Sequence, residues 1–208
     1  MLDELSEMLK EFEKVNAVKE RAENGDSQAQ CELADMYRKD QDYAESMKWY
    51  RKAAEQGNPD GMYNPDGMYN LGVMYYYGDG VEKDLNEAFK WYEKAAENGE
   101  PLAMLNLAAM YVNGQGCKKD QKKAFELYKK ASDLGDAAAM LYLGKCYFYG
   151  IGVETDLTKA NDWLLKANAR AEETGCDWVM DQVNKLLPQT DMLSTLANLT
   201  KSPVKVQI

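Results

Sequence analysis

The stretch LGVMYYYGDGVEKDLNEAFKWYEKAAENG (Leu71 to Gly99) decides the architecture, because it recurs with changes at intervals of 36 residues. The second copy is LAAMYVNGQGCKKDQKKAFELYKKASDLG (Leu107 to Gly135), and the third is LGKCYFYGIGVETDLTKANDWLLKANARA (Leu143 to Ala171). A fixed period of this size is typical of repeat architectures in which each unit is one supersecondary element. The chain is therefore predicted to stack repeated helical units.

Each copy is predicted to hold two helices joined by a glycine turn. A Gly-x-Gly pair stands in the middle of every copy, where backbone with positive φ can reverse the chain between antiparallel helices. The pairs begin at Gly78, Gly114 and Gly150. Gly-x-Gly also occurs in phosphate-binding loops, but here it follows a helix rather than a strand, which favours the turn. The aspartate after each turn is predicted to cap the second helix rather than to act in catalysis. These aspartates are Asp84, Asp120 and Asp156.

A divergent first repeat precedes these three. Its link between helices is four residues shorter and has no Gly-x-Gly, so we expect a tight polar turn around Lys39 to Gln41.

The helices are predicted over 2–23, then over 65–77, 101–113 and 137–149 (first helices) and over 84–98, 120–134 and 156–173 (second helices). The predicted segments are an N-terminal capping helix (1–24), repeat 1 (25–57), repeat 2 (58–99), repeat 3 (100–135), repeat 4 (136–174), C-terminal capping helices (175–200) and a tail (201–208).

The hexapeptide PDGMYN occurs twice in tandem, at 59–64 and 65–70. Six residues are not a whole number of helical turns, so two copies in one helix would rotate its apolar face. Proline and glycine are also unfavourable in helix interiors. The second copy is therefore predicted to start a helix with Pro65 in its first turn, and the first copy to form a surface loop. A recent duplication explains this pattern better than a functional insertion.

The segment CDWVMDQVNKLL (Cys176 to Leu187) is amphipathic. It is predicted to cover the C-terminal end of the array, because the outer face of a terminal repeat has no neighbour. This helix is expected to stop before Pro188, because proline disrupts a helix interior. A further short helix is predicted from Asp191 to Leu199.

Charge and composition exclude several classes of function. With 25 Lys and Arg against 35 Asp and Glu, the formal net charge is −10, which argues against a nucleic-acid or anionic-membrane partner. The chain has no histidine, which removes Ser-His-Asp and Cys-His catalytic sites and most zinc sites. Neither a cofactor nor a metal is predicted.

The cysteines and the apolar runs bear on the compartment. No two of the four cysteines form a C-x-x-C pair, and we interpret them as free thiols in a reducing environment. They are Cys31, Cys117, Cys146 and Cys176. No apolar run reaches 18 residues, and the N-terminal residues lack a secretory pattern. The sequence thus predicts a cytoplasmic protein without membrane insertion.

These repeats resemble the Sel-one-like repeat (SLR) family, a relative of the tetratricopeptide α/α solenoids. The family pattern is A-x-x-x-L-G-x-x-Y-x-x-G-x-G-V-x-x-D-x-x-K-A-x-x-W-x-x-K-A-A-x-x-G, and AMLYLGKCYFYGIGVETDLTKANDWLLKA (Ala139 to Ala167) is similar to it throughout. The third repeat departs from the pattern at Cys117 and Leu127. The resemblance implies an all-α fold: a right-handed α/α superhelical solenoid of four helix-pair repeats with helical caps. It also implies an adaptor or scaffold for protein complexes.

In such solenoids the first helix of each pair lines the concave face. The positions two before and two, five and six after the repeated Leu are expected to face a groove for a partner. They are Cys31, Asp35, Arg38 and Lys39; Tyr69, Val73, Tyr76 and Tyr77; Leu105, Ala109, Val112 and Asn113; and Leu141, Lys145, Phe148 and Tyr149. Rings and aliphatic side chains dominate the set, and an exposed Tyr-rich surface is typical of recognition. The alternative is that these side chains pack on each other in a tight superhelix.

The predicted function is a non-catalytic, monomeric adaptor that binds a peptide or helix of a partner protein in this groove. Two alternatives remain. The chain could be a structural array that assembles by stacking of solenoid ends, although the predicted caps argue against this. It could also be a hydrolase that uses paired carboxylates, although none lies in an evidently apolar setting that would raise its pKa.

Overall fold

A computed structural model describes residues 2–56 and 65–201. The described residues form ten α-helices and no strand, which confirms the all-α prediction. The helices are α1 (Leu2–Glu23), α2 (Ser27–Lys39), α3 (Tyr43–Glu55), α4 (Pro65–Tyr77), α5 (Leu85–Glu97), α6 (Pro101–Asn113), α7 (Gln121–Asp133), α8 (Ala137–Tyr149), α9 (Leu157–Thr174) and α10 (Asp177–Lys201). In this part of the chain, none of the helices is both long enough and apolar enough to span a bilayer.

Aspartate side chains begin the second helices, as predicted. Asp84 accepts hydrogen bonds from the backbone N–H groups of Asn86 at 2.9 Å and Glu87 at 3.1 Å. Asp120 and Asp156 each accept one from the residue three positions on, at 3.0 Å. A side-chain oxygen in this position satisfies N–H groups that have no partner inside the helix. The same role is played by Asp26, Asp42 and Asp136.

The turns between paired helices also form as predicted. Both glycines of every Gly-x-Gly pair have φ between 66° and 85°, a region that side chains with a Cβ atom rarely enter. The shorter link of the first repeat is a tight turn in which Gln41 has φ 62°. The predicted polar turn around Lys39 to Gln41 is therefore confirmed, although a glutamine and not a glycine takes the left-handed conformation.

The described residues group into two compact units. Unit 1 comprises those up to Ala103 together with 115–117, and unit 2 comprises 104–114 and those from Lys118 onward. In unit 1 each helix from α1 to α4 packs against the next one, and in unit 2 α7 packs on α8 and α8 on α9. Large side chains with almost no exposed surface form the core of each unit. They are Tyr50, Leu71, Met74 and Tyr92 in unit 1, and Met110, Leu141, Leu143, Leu164, Val179 and Val183 in unit 2.

Helix α10 is one continuous helix through Pro188, so the predicted stop before this proline and the separate helix from Asp191 to Leu199 are wrong. Residues on both sides of the proline are held by tertiary packing. Leu186 lies in the apolar core formed with α8 and α9. Thr190 is fully buried, and its hydroxyl group donates to the Leu187 carbonyl at 2.7 Å. Burial on both sides therefore outweighs the local preference of proline.

The second copy of the repeated hexapeptide starts helix α4 at Pro65, as predicted. Gly67 lies against α3, where a Cβ atom would be 3.0 Å from the carbonyl oxygen of Tyr50, so glycine permits this close approach. The surface loop predicted for 59–64 and the tail residues 202–208 lie outside the described residues.

Candidate protein-binding face

We use the term first-helix face for the predicted groove residues on α2, α4, α6 and α8. On α2, Cys31 is buried, so the expectation that it faces a groove is corrected, and Lys39 is exposed. The other two members, Asp35 and Arg38, are engaged within unit 1. Asp35 accepts hydrogen bonds from the Tyr50 hydroxyl of α3 and, at 3.3 Å, from Arg38. Burial and this hydrogen bond raise the pKa of Tyr50. The α2 part of the face therefore contributes to the packing of α2 on α3.

On α4 the aromatic members of the face form one cluster. The rings of Tyr69 and Tyr76 lie 5.9 Å and 6.5 Å from that of the buried Tyr92 on α5. Tyr77 packs edge-on against Tyr76, with 5.1 Å between ring centroids and 76° between planes. The hydroxyl of Tyr76 donates to Gln115 Oε1 at 3.4 Å. Tyr76 is thus fixed on several sides, whereas Tyr77 is 67% exposed.

On α6 and α8 the first of the four predicted positions is buried. Leu105 is part of the buried core, and Leu141 has no exposed surface. Leu141 packs with Leu164 of α9 and with Val179 and Val183 of α10. These two residues do not line a surface, and the expectation that they face a groove is corrected. Of the remaining positions on the two helices, Ala109, Val112, Lys145 and Phe148 are half-buried, and Asn113 and Tyr149 are exposed.

Helix α10 borders this face in unit 2, which the sequence reasoning missed. Gln182 of α10 accepts a hydrogen bond from Lys145 Nζ at 3.3 Å. Trp178 of α10 lies 6.4 Å from Tyr142 of α8, whose ring stacks on Tyr128 at 5.1 Å. The spacing of Val179, Val183 and Leu186 indicated an amphipathic helix. Trp178 and Gln182 directly precede two of these apolar residues, so they could have been predicted to lie at the edge of its apolar face.

Each unit, taken by itself, has an aromatic pair at the end of one of its first helices. Phe148 and Tyr149 end α8, and their rings meet edge-on with 4.7 Å between centroids and 82° between planes. This repeats the arrangement of Tyr76 and Tyr77 at the end of α4. Tyr149 is 58% exposed. Each unit therefore presents a ring fixed by its neighbour at the C-terminal end of a first helix.

Charged side chains are almost absent from the first helices of the last three repeats. Helix α4 carries only Asp66, α6 carries none, and α8 carries only Lys145. Among residues 2–56 and 65–201, no three Cys, Asp or Glu side chains come together as a group that could hold a metal ion. The geometry of the face suits apolar contact with a few polar anchors, which is typical of recognition surfaces.

The Sel1 repeat model matches the chain at 27–58, 65–100, 101–136 and 137–171. The second match begins where α4 begins and leaves out the first copy of PDGMYN. A search of curated proteins found no match.

Two solved structures are similar over most of the chain. A Sel1 repeat protein from Oxalobacter formigenes is 30% identical with a TM-score of 0.72, over 85% of this chain and 68% of its own. A protective antigen present in uropathogenic Escherichia coli strains, displaying an SLR fold, is 34% identical with a TM-score of 0.70, over 84% of this chain. This chain spans 36% of the antigen's length. Together with the four matched repeats, these similarities show that the chain belongs to the Sel1 repeat family.

Proposed function

We propose that the chain is a non-catalytic adaptor that binds a peptide or helix of a partner protein on its first-helix face. Sel1 repeat proteins are generally protein-interaction scaffolds, and the family is generally non-catalytic. One observation carries the narrower proposal: each unit ends a first helix with an edge-to-face aromatic pair whose outer ring is exposed. The pairs are Tyr76 with Tyr77 and Phe148 with Tyr149.

The energetics of these rings support binding. An aromatic ring removed from water stabilises a complex by about 25 cal/mol for each Å² of apolar surface buried. Because Tyr76 and Phe148 already orient the outer rings Tyr77 and Tyr149, a partner that covers them loses little additional side-chain entropy. Tyrosine is also among the residues enriched in binding hot spots.

Site-specific photocrosslinking tests this proposal. A benzophenone amino acid replaces Tyr77 in one variant and Tyr149 in another, and the full chain is irradiated in lysate of its source. We expect both variants to crosslink a defined partner segment, identified by mass spectrometry. Tyr77→Ala and Tyr149→Ala are then expected to lower the affinity for that segment by about tenfold each, as hot-spot truncations do.

The chain offers matched controls at the end of one second helix, α7, and within another, α9. Leu134 and Leu165 are apolar and 57% and 51% exposed, but neither is on the first-helix face. The same benzophenone residue at these positions is expected to give no crosslink to that partner. Equal crosslinking at all four positions, or unchanged affinity of both Tyr→Ala variants with an intact circular dichroism spectrum, contradicts the proposed face.

A further inference from the structure

Lys145 is an unusual residue on the first-helix face, because it is the one charged side chain of α8 and it is half-buried. Its Nζ donates to Gln182 Oε1 at 3.3 Å and lies 5.2 Å from the centroid of the Tyr142 ring. Burial lowers the pKa of Lys145. An ammonium group in such a place has lost part of its hydration, so an opposite charge would stabilise it more than in open water.

The charges around Lys145 do not balance. Gln182 donates through its amide nitrogen to Asp181 at 3.5 Å, and Asp181 forms an ion pair with Lys185 at 2.5 Å. The carboxylate next to Gln182 in the chain is thus already paired. Within the described residues, none of the ion pairs closer than 4 Å includes Lys145. Among residues 2–56 and 65–201, no carboxylate therefore lies within ion-pair distance of Lys145.

The surroundings of Lys145 along α8 are apolar. Leu141, one turn before it, is covered by α10. Phe148 and Tyr149 follow three and four residues after it, which places them on the same side of the helix. On α10 the ring of Trp178 lies beside Tyr142 and is 49% exposed. Lys145 is thus a single cation between exposed rings, at the edge where α10 stops covering α8.

We propose that Lys145 binds a carboxylate of the partner segment, from an Asp or Glu side chain flanked by apolar residues. This inference rests on the proposed function and names the chemistry of the peptide that the unit 2 face accepts. An ammonium group has three N–H donors, and the one used by Gln182 leaves two for the carboxylate. The flanking apolar side chains would contact Tyr149 and Trp178.

Selection of peptides from a random dodecapeptide library displayed on phage tests the proposal with the full chain as bait. We expect enrichment of sequences in which Asp or Glu stands between apolar residues. This readout is selective, because a chain of net charge −10 would by non-specific electrostatics enrich basic peptides instead. The best peptide is then compared with its Glu→Gln or Asp→Asn counterpart on the wild-type chain. A loss of about tenfold to a hundredfold is expected, as for a hydrogen bond to a charged group.

The variants Lys145→Met and Lys145→Arg locate the contact. Lys145→Met keeps the length of the side chain without its charge, and we expect it to abolish the preference for the acidic peptide, whereas Lys145→Arg retains it. Lys166→Met is the control, because Lys166 of α9 also lies over a ring, at 4.2 Å from the Trp163 centroid. We expect this control to bind like the wild-type chain.

The outcomes separate this inference from the proposed function. Selected peptides without an acidic preference that depend on Tyr149 overturn the role of Lys145 and leave the proposed face standing. An equal loss in Lys145→Met and Lys166→Met also overturns it. If the wild-type chain selects no peptide, both proposals fail. The Glu→Gln comparison needs no protein variant, so equal affinity of the two peptides overturns the inference even if Lys145→Met does not fold.

Discussion

Gly152 lies so close to the backbone carbonyl group of Gln121 that no Cβ atom could be placed on Gly152 without a shift of the backbone. Gln121 is the first residue of α7, the second helix of the preceding repeat. The same relationship joins Gly116 to the carbonyl of Leu85, the first residue of α5. The second glycine of the pair therefore serves both the turn and the contact with the preceding repeat.

Replacement of Gly152 by alanine is expected to destabilise the chain more than the turn conformation alone explains. Gly175 is the matched control, because its φ of 69° is close to the 73° of Gly152 and a Cβ atom on Gly175 would meet nothing within 4 Å. Gly175→Ala is expected to cost about 1 kcal/mol of unfolding free energy for the left-handed conformation. Gly152→Ala is expected to cost about 1–3 kcal/mol more, since it overpacks the contact. Urea denaturation measures the difference, and equal losses would show that the approach to Gln121 does not matter.

Adjacent leucines on α9 give a test of the core of unit 2. Leu164 is fully buried among residues of α8 and α10, whereas Leu165 is 51% exposed. Leu164→Ala is expected to lower the unfolding free energy by about 2–5 kcal/mol, because it removes apolar contacts and leaves a cavity. Leu165→Ala is expected to change it by less than about 1 kcal/mol. Chemical denaturation of the two variants checks this order, and a reversed order would mean that α9 is packed by its other face.

Pro188→Ala is expected to stabilise the chain, because Pro188 is exposed and lies inside the continuous helix α10. Proline in a helix interior is about 3 kcal/mol less favourable than alanine, and a gain of about 1–3 kcal/mol is expected in thermal or urea denaturation. Pro101 is the control, since it is the first residue of α6, where proline is tolerated. Pro101→Ala is not expected to stabilise. A loss of stability in Pro188→Ala would indicate that α10 does not continue through this residue in solution.

The buried cysteines are expected to react with a thiol reagent only after unfolding. Burial raises the pKa of Cys31 and Cys146 to about 12, from an ordinary value of 9.0, and the thiolate is the reactive form. Cys176 is half-buried and is expected to react in the folded chain at pH 8. Titration with a chromogenic disulfide before and after adding urea measures this. A rapid reaction in the folded chain that Cys146→Ala removes would contradict it.

The raised pKa values of Cys31 and Cys146 also determine how the free energy of unfolding changes at alkaline pH. Between the ordinary value of 9.0 and about 12, the folded chain keeps protons on Cys31 and Cys146 that the unfolded chain has lost. The free energy of unfolding is therefore expected to fall as the pH rises through this range, and the stabilisation is fully present below it. Cys146→Ala is expected to reduce the slope.

Local signals in the sequence were sufficient to predict most of the helices. The bounds of α4, α6 and α8 agree with the prediction, because glycine marks where each ends. The second helices begin one residue later, since the aspartate is a cap and not part of the helix. In contrast, the burial of Leu141 and the passage of α10 through Pro188 depend on contacts between α8, α9 and α10. The sequence spacing within a single helix could not reveal them.

The candidate face was predictable as a set of helix positions but not in its detail. The periodicity placed Tyr77 and Tyr149 at exposed positions. It did not reveal that Asp35 of α2 accepts a hydrogen bond from the Tyr50 hydroxyl of α3. Gln182 lies beside Lys145 although 37 residues separate them in the chain. A pairing between distant residues of this kind depends on the angle at which α10 crosses α8, and no residue pattern encodes that angle in isolation.

The contacts of Gly116 and Gly152 are made to carbonyl oxygens, and a carbonyl oxygen is the same whatever side chain its residue carries. Leu85 and Gln121 differ in size and polarity, yet in both cases the backbone carbonyl group is what the glycine approaches. A whole 36-residue segment could therefore be gained or lost between such junctions in the course of evolution without any new complementarity of side chains. Such a gain or loss would have to keep the glycine at these two junctions, because a Cβ atom there would collide with the carbonyl group of the preceding repeat.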